Sequence, residues 1–367
     1  MDTQRFRMLT TAHPPFVSVY IDDSRDTAEA DSALDARWQE LRGELEIGCG
    51  DERIIAEVGR AILRSSPAIG RRGRVVIASG DGVLINEHLP HPPGQTQLRM
   101  SDYPYVLPML DALWRGVYIF AAVDHNGADI RLHRGDIIHA ETVDGGGYPV
   151  HKPVSSGWNG YGDHQRSAEE AVRMNVRATA DRLTELVDKT DAQVVFVCGE
   201  IRSRSDVVSA LPRRVARRVS PWHGGALGHR IDEAEARDHL DREFERRRAD
   251  EAAEVTDLYI GERGRHSGLA VEGIAAVCGA LREGCVDTLI VGDLADATVV
   301  TAQSRTTIAP DADALSDLGE PVRRVARADE ALPFVAIATD ASLVRAGADI
   351  APANGIAALL RYAPGDI

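Results

Sequence analysis

The densest set of chemically useful side chains lies in residues 145–167. Lys152, Trp158, Asn159, Tyr161, His164, Gln165 and Arg166 sit there among glycines that include Gly160 and Gly162. Aromatic rings stack on nucleobases, and lysine, histidine and arginine meet phosphates, so this mixture suits contact with RNA. Ser155, Ser156, Asp163 and His164 are triad-type residues, but a triad needs a base and an orienting acid held in fixed geometry, not neighbours in sequence. No GxSxG elbow is present. Residues 157–162 (GWNGYG) are not the GxGxxG turn, and the bulk of Trp158 and Tyr161 would block close approach of a phosphate to the backbone. The segment therefore reads as a binding finger.

Other charged groups offer less specific chemistry. Arg71, Arg72 and Arg74 precede a hairpin signal and are either a solvated basic turn or a phosphate contact. Arg213, Arg214, Arg217 and Arg218, with His223 and Arg230 nearby, form the most basic patch of the chain, either a solvated face or an RNA contact. Asp22 and Asp23 end a strand, where an ordinary turn competes with a Mg²⁺ site lacking a visible third carboxylate. There is no HExxH, Cys/His cluster, EF-hand loop or GxxxxGK[ST]. Neither a metal nor a cofactor is expected.

The finger needs a rigid mount. Ser167 and Glu170 have capping-box spacing, and Ala171, Val172, Met174, Ala178 and Leu183 follow as an apolar stripe, which predicts a helix from Ser167 to about Asp188. Three strands lead in, at 117–123, 128–133 and 137–143, and a buried strand follows at 193–198 with a helix at 203–211. Strands separated by long helices predict a mostly parallel sheet covered by helices.

Before this block, 16–21 reads as a strand, 28–46 and 54–63 as helices, and 75–78 with 83–86 as a hairpin around Ser79-Gly80-Asp81-Gly82. The proline-rich stretch 88–108 reads as a boundary. A long charged helix at 231–259 leads to a third block. There the expected elements are a helix at 269–282, strands at 288–291 and 298–302, a short helix, and strands at 334–339 and 355–362. The chain thus divides into α/β domains at 1–110, 111–255 (finger 145–167 and linker helix included) and 256–367, each of ordinary size.

A net charge of −15 excludes a generic nucleic-acid coat protein, although local basic patches can still dock on RNA. Lys152 and Lys189 are the only lysines, so almost all positive charge is arginine. Four cysteines without CxxC spacing, no apolar run of membrane-spanning length and no apolar signal core near the N-terminus fit a cytoplasmic protein.

Residues 266–274 (HSGLAVEGI) and 280–291 (ALREGCVDTLIV) resemble the opening of the C-terminal domain of eukaryotic release factors and Pelota, an L7Ae-like α/β sandwich. The second block resembles their middle domain, with strands, a peptidyl-transferase loop and a long helix. The whole chain is similar to the bacterial and archaeal branch of that superfamily, which includes Balon-like ribosome hibernation factors of mycobacterial type. The resemblance implies a three-domain release-factor/Pelota-like architecture. The N-domain would lie at the decoding centre and the finger near the peptidyl-transferase centre.

Release factors carry Gly-Gly-Gln at the finger tip, where it supports water attack on peptidyl-tRNA; here the place reads Gly160-Tyr161-Gly162-Asp163-His164-Gln165. The resemblance therefore implies a non-hydrolysing factor that occupies the A site of idle or stalled 70S ribosomes together with elongation factor Tu, next to P-site tRNA, with the finger on ribosomal RNA; the two arginine patches are candidates for further RNA contact by their charge alone. The alternative it implies is a Vms-type peptidyl-tRNA hydrolase or nuclease that uses Gln165 in a degenerate loop.

Overall fold

The computed structural model describes residues 3–65, 71–111, 117–134, 136–144, 161–222, 233–347 and 349–363. Contacts divide the chain into two compact units, Met1–Trp114 with Arg247–Ile367, and Arg115–Arg246.

The first block contains α1 (Arg7–Thr11), β1 (Phe16–Asp22), α2 (Ala30–Gly48), α3 (Glu52–Leu63), β2 (Gly73–Ser79), β3 (Gly82–Leu89), β4 (Gln97–Ser101) and α4 (Leu107–Asp111). Its antiparallel sheet has the order β3-β2-β1-β4. The periodic positions Leu34, Trp38, Leu41 and Leu45 of α2 are buried with Val58 and Ile62 of α3 against one face of that sheet. Asp51 caps α3 by accepting the Arg53 N–H. β4 departs from expectation, since it lies inside the proline-rich stretch read as a boundary. Five residues between prolines suffice for an edge strand because only one side needs a ladder.

The second unit contains β5 (Tyr118–Val123), β6 (Gly127–Arg134), β7 (Asp136–Asp144), α5 (Tyr161–Thr190), β8 (Val194–Gly199), α6 (Ile201–Ala210), α7 (Arg213–Ala216), β9 (Val219–Pro221) and the first part of α8 (Glu233–Arg265). Its sheet order is β7-β6-β5-β8-β9. The sheet is mixed rather than mostly parallel: β5–β8 and β8–β9 are parallel, while β5–β6 and β6–β7 are antiparallel because tight turns join them. β5 is apolar throughout because both of its faces are covered. Ile119, Ala121 and Val123 share a core with Leu183 and Val187 of α5 and Val207 of α6. On the alternate positions, Tyr118 and Phe120 contact Phe196, Trp222 and Phe244 ring to ring.

The third block contains β10 (Ala270–Glu272), α9 (Ile274–Arg282), β11 (Val286–Val291), β12 (Thr298–Thr301), β13 (Ile308–Ala309), α10 (Ala312–Asp317), β14 (Arg324–Arg327), α11 (Ala328–Ala338), β15 (Ser342–Arg345) and β16 (Ile356–Leu360). The main sheet runs β10-β16-β11-β15, and β13-β12-β14 forms a second, antiparallel one. Leu289, Val291 and Ala358 share the core with Val277 and Leu281 of α9 and Leu332 of α11, while Ile290, Ala357 and Leu359 cluster with Tyr259 of α8. The block is therefore an α/β sandwich, as expected.

Two local expectations are corrected. Residues 334–338 of the expected strand 334–339 are helical in α11: Phe334–Ile337 are all buried, and a fully buried run lacks the periodicity that separates strand from helix. The helix expected from 269 begins only at Ile274. Gly273 has φ +86°, and the preceding residues form β10, which completes the sheet beside β16.

Side chains tie the first block to the third. Thr3 Oγ1 donates to Ala341 O at 2.9 Å, and Arg7 pairs with both carboxylate oxygens of Asp340 at 3.0 and 2.5 Å. Arg305 donates to Ala12 O at 2.8 Å and Thr10 O at 3.3 Å, with its guanidinium 4.8 Å from the Phe334 ring centre.

Candidate functional site

The ends of β5 and β8 lie side by side, with Val123 opposite Gly199. After β5, Asp124 turns the chain by accepting the Asn126 and Gly127 N–H groups at 2.7 and 3.0 Å. Gly127 has φ +151°, and a Cβ there would lie 2.0 Å from Val143 O on β7. Gly199 has φ +110°, and a Cβ there would lie 2.0 Å from Val123 O, which also accepts the Glu200 N–H at 3.0 Å. Only glycine allows such close backbone approach.

This clasped edge holds both roots of the finger. β7 ends at Asp144, opposite Gly127. On the return, Asn175 of α5 donates to His125 O at 2.9 Å. Arg182 of α5 grips Glu141 of β7 with two hydrogen bonds, at 2.6 and 2.9 Å, and those bonds hold the Glu141 carboxyl below its usual range. The helix is thus locked to the strand that leads into the finger.

The sequence-predicted finger residues divide into two groups. Lys152, Trp158, Asn159 and Gly160 lie outside the described residues. Tyr161, Gly162, His164, Gln165 and Arg166 have helical backbone, because α5 starts at Tyr161 rather than at Ser167. A capping box marks a start only where the chain leaves the helix at its serine. Serine inside a helix costs only about half a kcal/mol relative to alanine, so the motif alone does not place the end.

The arginine patches also divide. Arg74 is 2% exposed and donates to Asp23, at 2.9 Å from Nε and 2.7 Å from Nη2, and to Asn86 at 2.8 Å. It is an internal ion pair, not a phosphate contact. Asp23, read as a possible Mg²⁺ ligand, is its counter-ion, with Arg25 at 3.5 Å, and Asp22 accepts from Ser24 and pairs with Arg37. No cluster of three or more His, Cys, Asp or Glu placed to hold a metal ion occurs among the described residues. Arg71 is exposed, 4.0 Å from Asp26, and the backbone of Arg72 bonds to Ser24. Arg214 pairs with Asp188 at 2.7 Å and Arg218 with Asp191 at 2.8 Å, whereas Arg213 and Arg217 are exposed.

A cleft of about 1070 Å³ opens between α5 and α6, beside His125 and Glu200. Arg173 and Arg177 line it, one helical turn apart on α5 and both exposed. The sequence reading missed them; their i,i+4 spacing after the finger was the available signal. His125 Nδ1 lies 3.6 Å from Glu200 Oε2, and Ser203 Oγ donates to the same oxygen at 3.1 Å. Serine and histidine thus both face the acid, the wrong order for a serine nucleophile, which must face the histidine. Burial pushes the Cys198 thiol up to about 11 and the Cys278 thiol up to about 12, which disfavours a thiolate at either.

Residues 117–265, which contain this edge, the finger and the long helices, match the profile of the bacterial archaeo-eukaryotic release factor family 2. Two uncharacterized proteins from strains of Mycobacterium tuberculosis are each 55% identical over 364 residues, covering 99% of this chain and 97% of theirs. Among solved structures the chain is similar to Archaeoglobus fulgidus Pelota (14% identity, 98% of this chain and 91% of that one, TM-score 0.36). It is also similar to a ribosome-bound archaeal Pelota (15% identity, 98% and 93%, TM-score 0.42). Residues 117–265 thus belong to this bacterial release factor family, and the chain as a whole shares a family with the two mycobacterial proteins. No helix among the described residues is long and apolar enough to cross a membrane.

Proposed function

We propose that the protein is a ribosome-associated translation factor that occupies the A site of idle or stalled 70S ribosomes, as a hibernation factor, without hydrolysing peptidyl-tRNA. One observation carries the reading. The block matched by the family profile holds a finger between β7 and α5 whose sequence lacks Gly-Gly-Gln, and its Gln165 falls within the first turns of α5. A water-positioning glutamine needs the freedom of a glycine-flanked loop, which helical backbone does not supply. Ribosomal RNA, elongation factor Tu and P-site tRNA are the partners of this reading. The RNA contacts fall to the finger and to the exposed arginines Arg173, Arg177, Arg213 and Arg217.

Sedimentation of the purified protein with vacant and tRNA-filled 70S ribosomes, with and without elongation factor Tu and GDP, tests the proposal. Pelleting with vacant ribosomes that is lost when the A site is filled is the expected result, with no release of peptide from peptidyl-tRNA. Absence of pelleting under every condition, or peptide release that Gln165→Ala abolishes, would overturn it. Replacing Arg213 and Arg217 by Glu should weaken binding and flatten its salt dependence by a log–log slope of about 0.7 to 0.9 per lost phosphate contact. The same change at the internally paired Arg214 and Arg218 should reduce that slope less.

A further inference from the structure

Two strands of the unit formed by the first and third blocks end their sheets. β4 is the outer strand of β3-β2-β1-β4, and β14 is the outer strand of β13-β12-β14. Both border one cleft of about 560 Å³. Along β4 the cleft meets Leu98, Arg99, Met100 and Ser101 in succession, and along β14 it meets Arg324, Val325, Ala326 and Arg327. Successive side chains of a strand point to opposite faces, so a cavity touched by every residue in a row lies against the strand's edge. Among the described residues β4 is paired only with β1, and β14 only with β12. The cleft is therefore flanked by two open rows of backbone donors and acceptors, and the ligand that matches such a row is another extended chain.

Side chains around the slot narrow its occupant. Val325 is 67% exposed on β14, and Leu318 and Val322 are exposed just before it. Exposed apolar side chains at an unpaired edge are what proteins avoid unless something covers them, and here only Arg324 and Arg327 at the two ends of β14 blunt the edge. Arg324 is matched by Asp102, and Arg327 by Asp296 and Asp329. Arg99 on β4 faces the buried Glu330 carboxyl, which also lines the slot, and the exposed Arg323 beside β14 adds positive charge beyond these pairs, on a chain whose net charge is −15. We propose that this slot takes an extended, acidic segment of a partner protein, which adds as a strand to β14 and lies along β4. The proposal uses none of the finger's residues and does not rest on the ribosomal reading.

The probe is a fluorescently labelled peptide with a core of alternating valine and threonine, about five residues long to match β4, and a glutamate at each end. Its anisotropy is titrated with the full chain. Saturable binding is expected, weakened about tenfold or more by N-methylation of two alternate amides, since each lost hydrogen bond is worth about 1 kcal/mol. Lysine in place of the glutamates should weaken it too. Arg323→Glu combined with Val325→Glu, both at exposed positions, should remove binding while the circular dichroism spectrum stays unchanged. Equal binding of the N-methylated peptide, or no binding of any peptide, would overturn the proposal. So would concentration-dependent dimerisation of the chain alone that the double substitution abolishes, because the edge would then belong to a second copy.

Discussion

Ser101 has one hydroxyl proton and two acceptors in reach, Tyr103 O at 2.8 Å and Glu330 Oε2 at 2.6 Å, while its oxygen accepts the Tyr103 N–H at 3.0 Å. A protonated Glu330 settles this count, because its O–H then donates to Ser101 Oγ and the serine proton serves Tyr103 O. Burial pushes the Glu330 carboxyl up; Asp329 adds to that, and Ser101, Arg99 and Arg327 oppose it. A value raised in the folded state means that the native protein holds the proton more tightly than the unfolded chain does. The resulting stabilisation is full below the unfolded glutamate range and is lost as pH rises from there through the folded value. Glu330→Gln keeps the neutral form at every pH. Its unfolding free energy, measured in urea, should therefore gain on the wild type from acidic to neutral pH. A difference that stays flat across that window would show that folding leaves the titration of the Glu330 carboxyl unshifted. Arg74 teaches the same lesson at this scale. Its neighbours Arg71 and Arg72 mark a basic turn, but its own charge is consumed by Asp23, a residue distant in sequence.

At the scale of elements, the start of α5 is the boundary that matters. Gly162 lies inside the helix, where glycine is less favourable than alanine by about 1 kcal/mol. Gly162→Ala should raise stability by up to about 1 kcal/mol and slow amide exchange over residues 164–168. A loss of stability would place Gly162 in a conformation that alanine cannot adopt. Long periodic helices and alternating or apolar strands were legible: Leu34, Trp38, Leu41 and Leu45 are all buried as their spacing implies. Short elements were not. β4, β10 and β14 carry few residues and exist because a neighbouring strand offers a ladder. The run at 334–339 was legible as core but not as helix.

At the scale of the molecule, the first and third blocks share one unit although a whole second unit separates them in the chain. Arg305 is a tie made of several contacts. It donates to backbone carbonyls of Thr10, Ala12 and Asp102 and lies over the rings of Phe16 and Phe334. Arg305→Ala leaves three carbonyls short of a charged donor and should cost about 3 kcal/mol in urea unfolding. A change below about 0.5 kcal/mol would mean that water replaces the guanidinium without penalty.

The sequence by itself determined the α/β class, the long helices, the apolar strands β5 and β8, and the Gly-Gly-Gln-free finger ahead of a helix. All of these follow from local periodicity and from residue types read in order. Only the tertiary structure decided the mixed sheet, the helical state of residues 161–166, the division of the arginines between ion pairs and surface, and the two strand edges that share a slot. Each of those depends on which distant residue supplies a hydrogen-bond partner, a counter-charge or a covering face. Spacing along one chain carries no record of that choice.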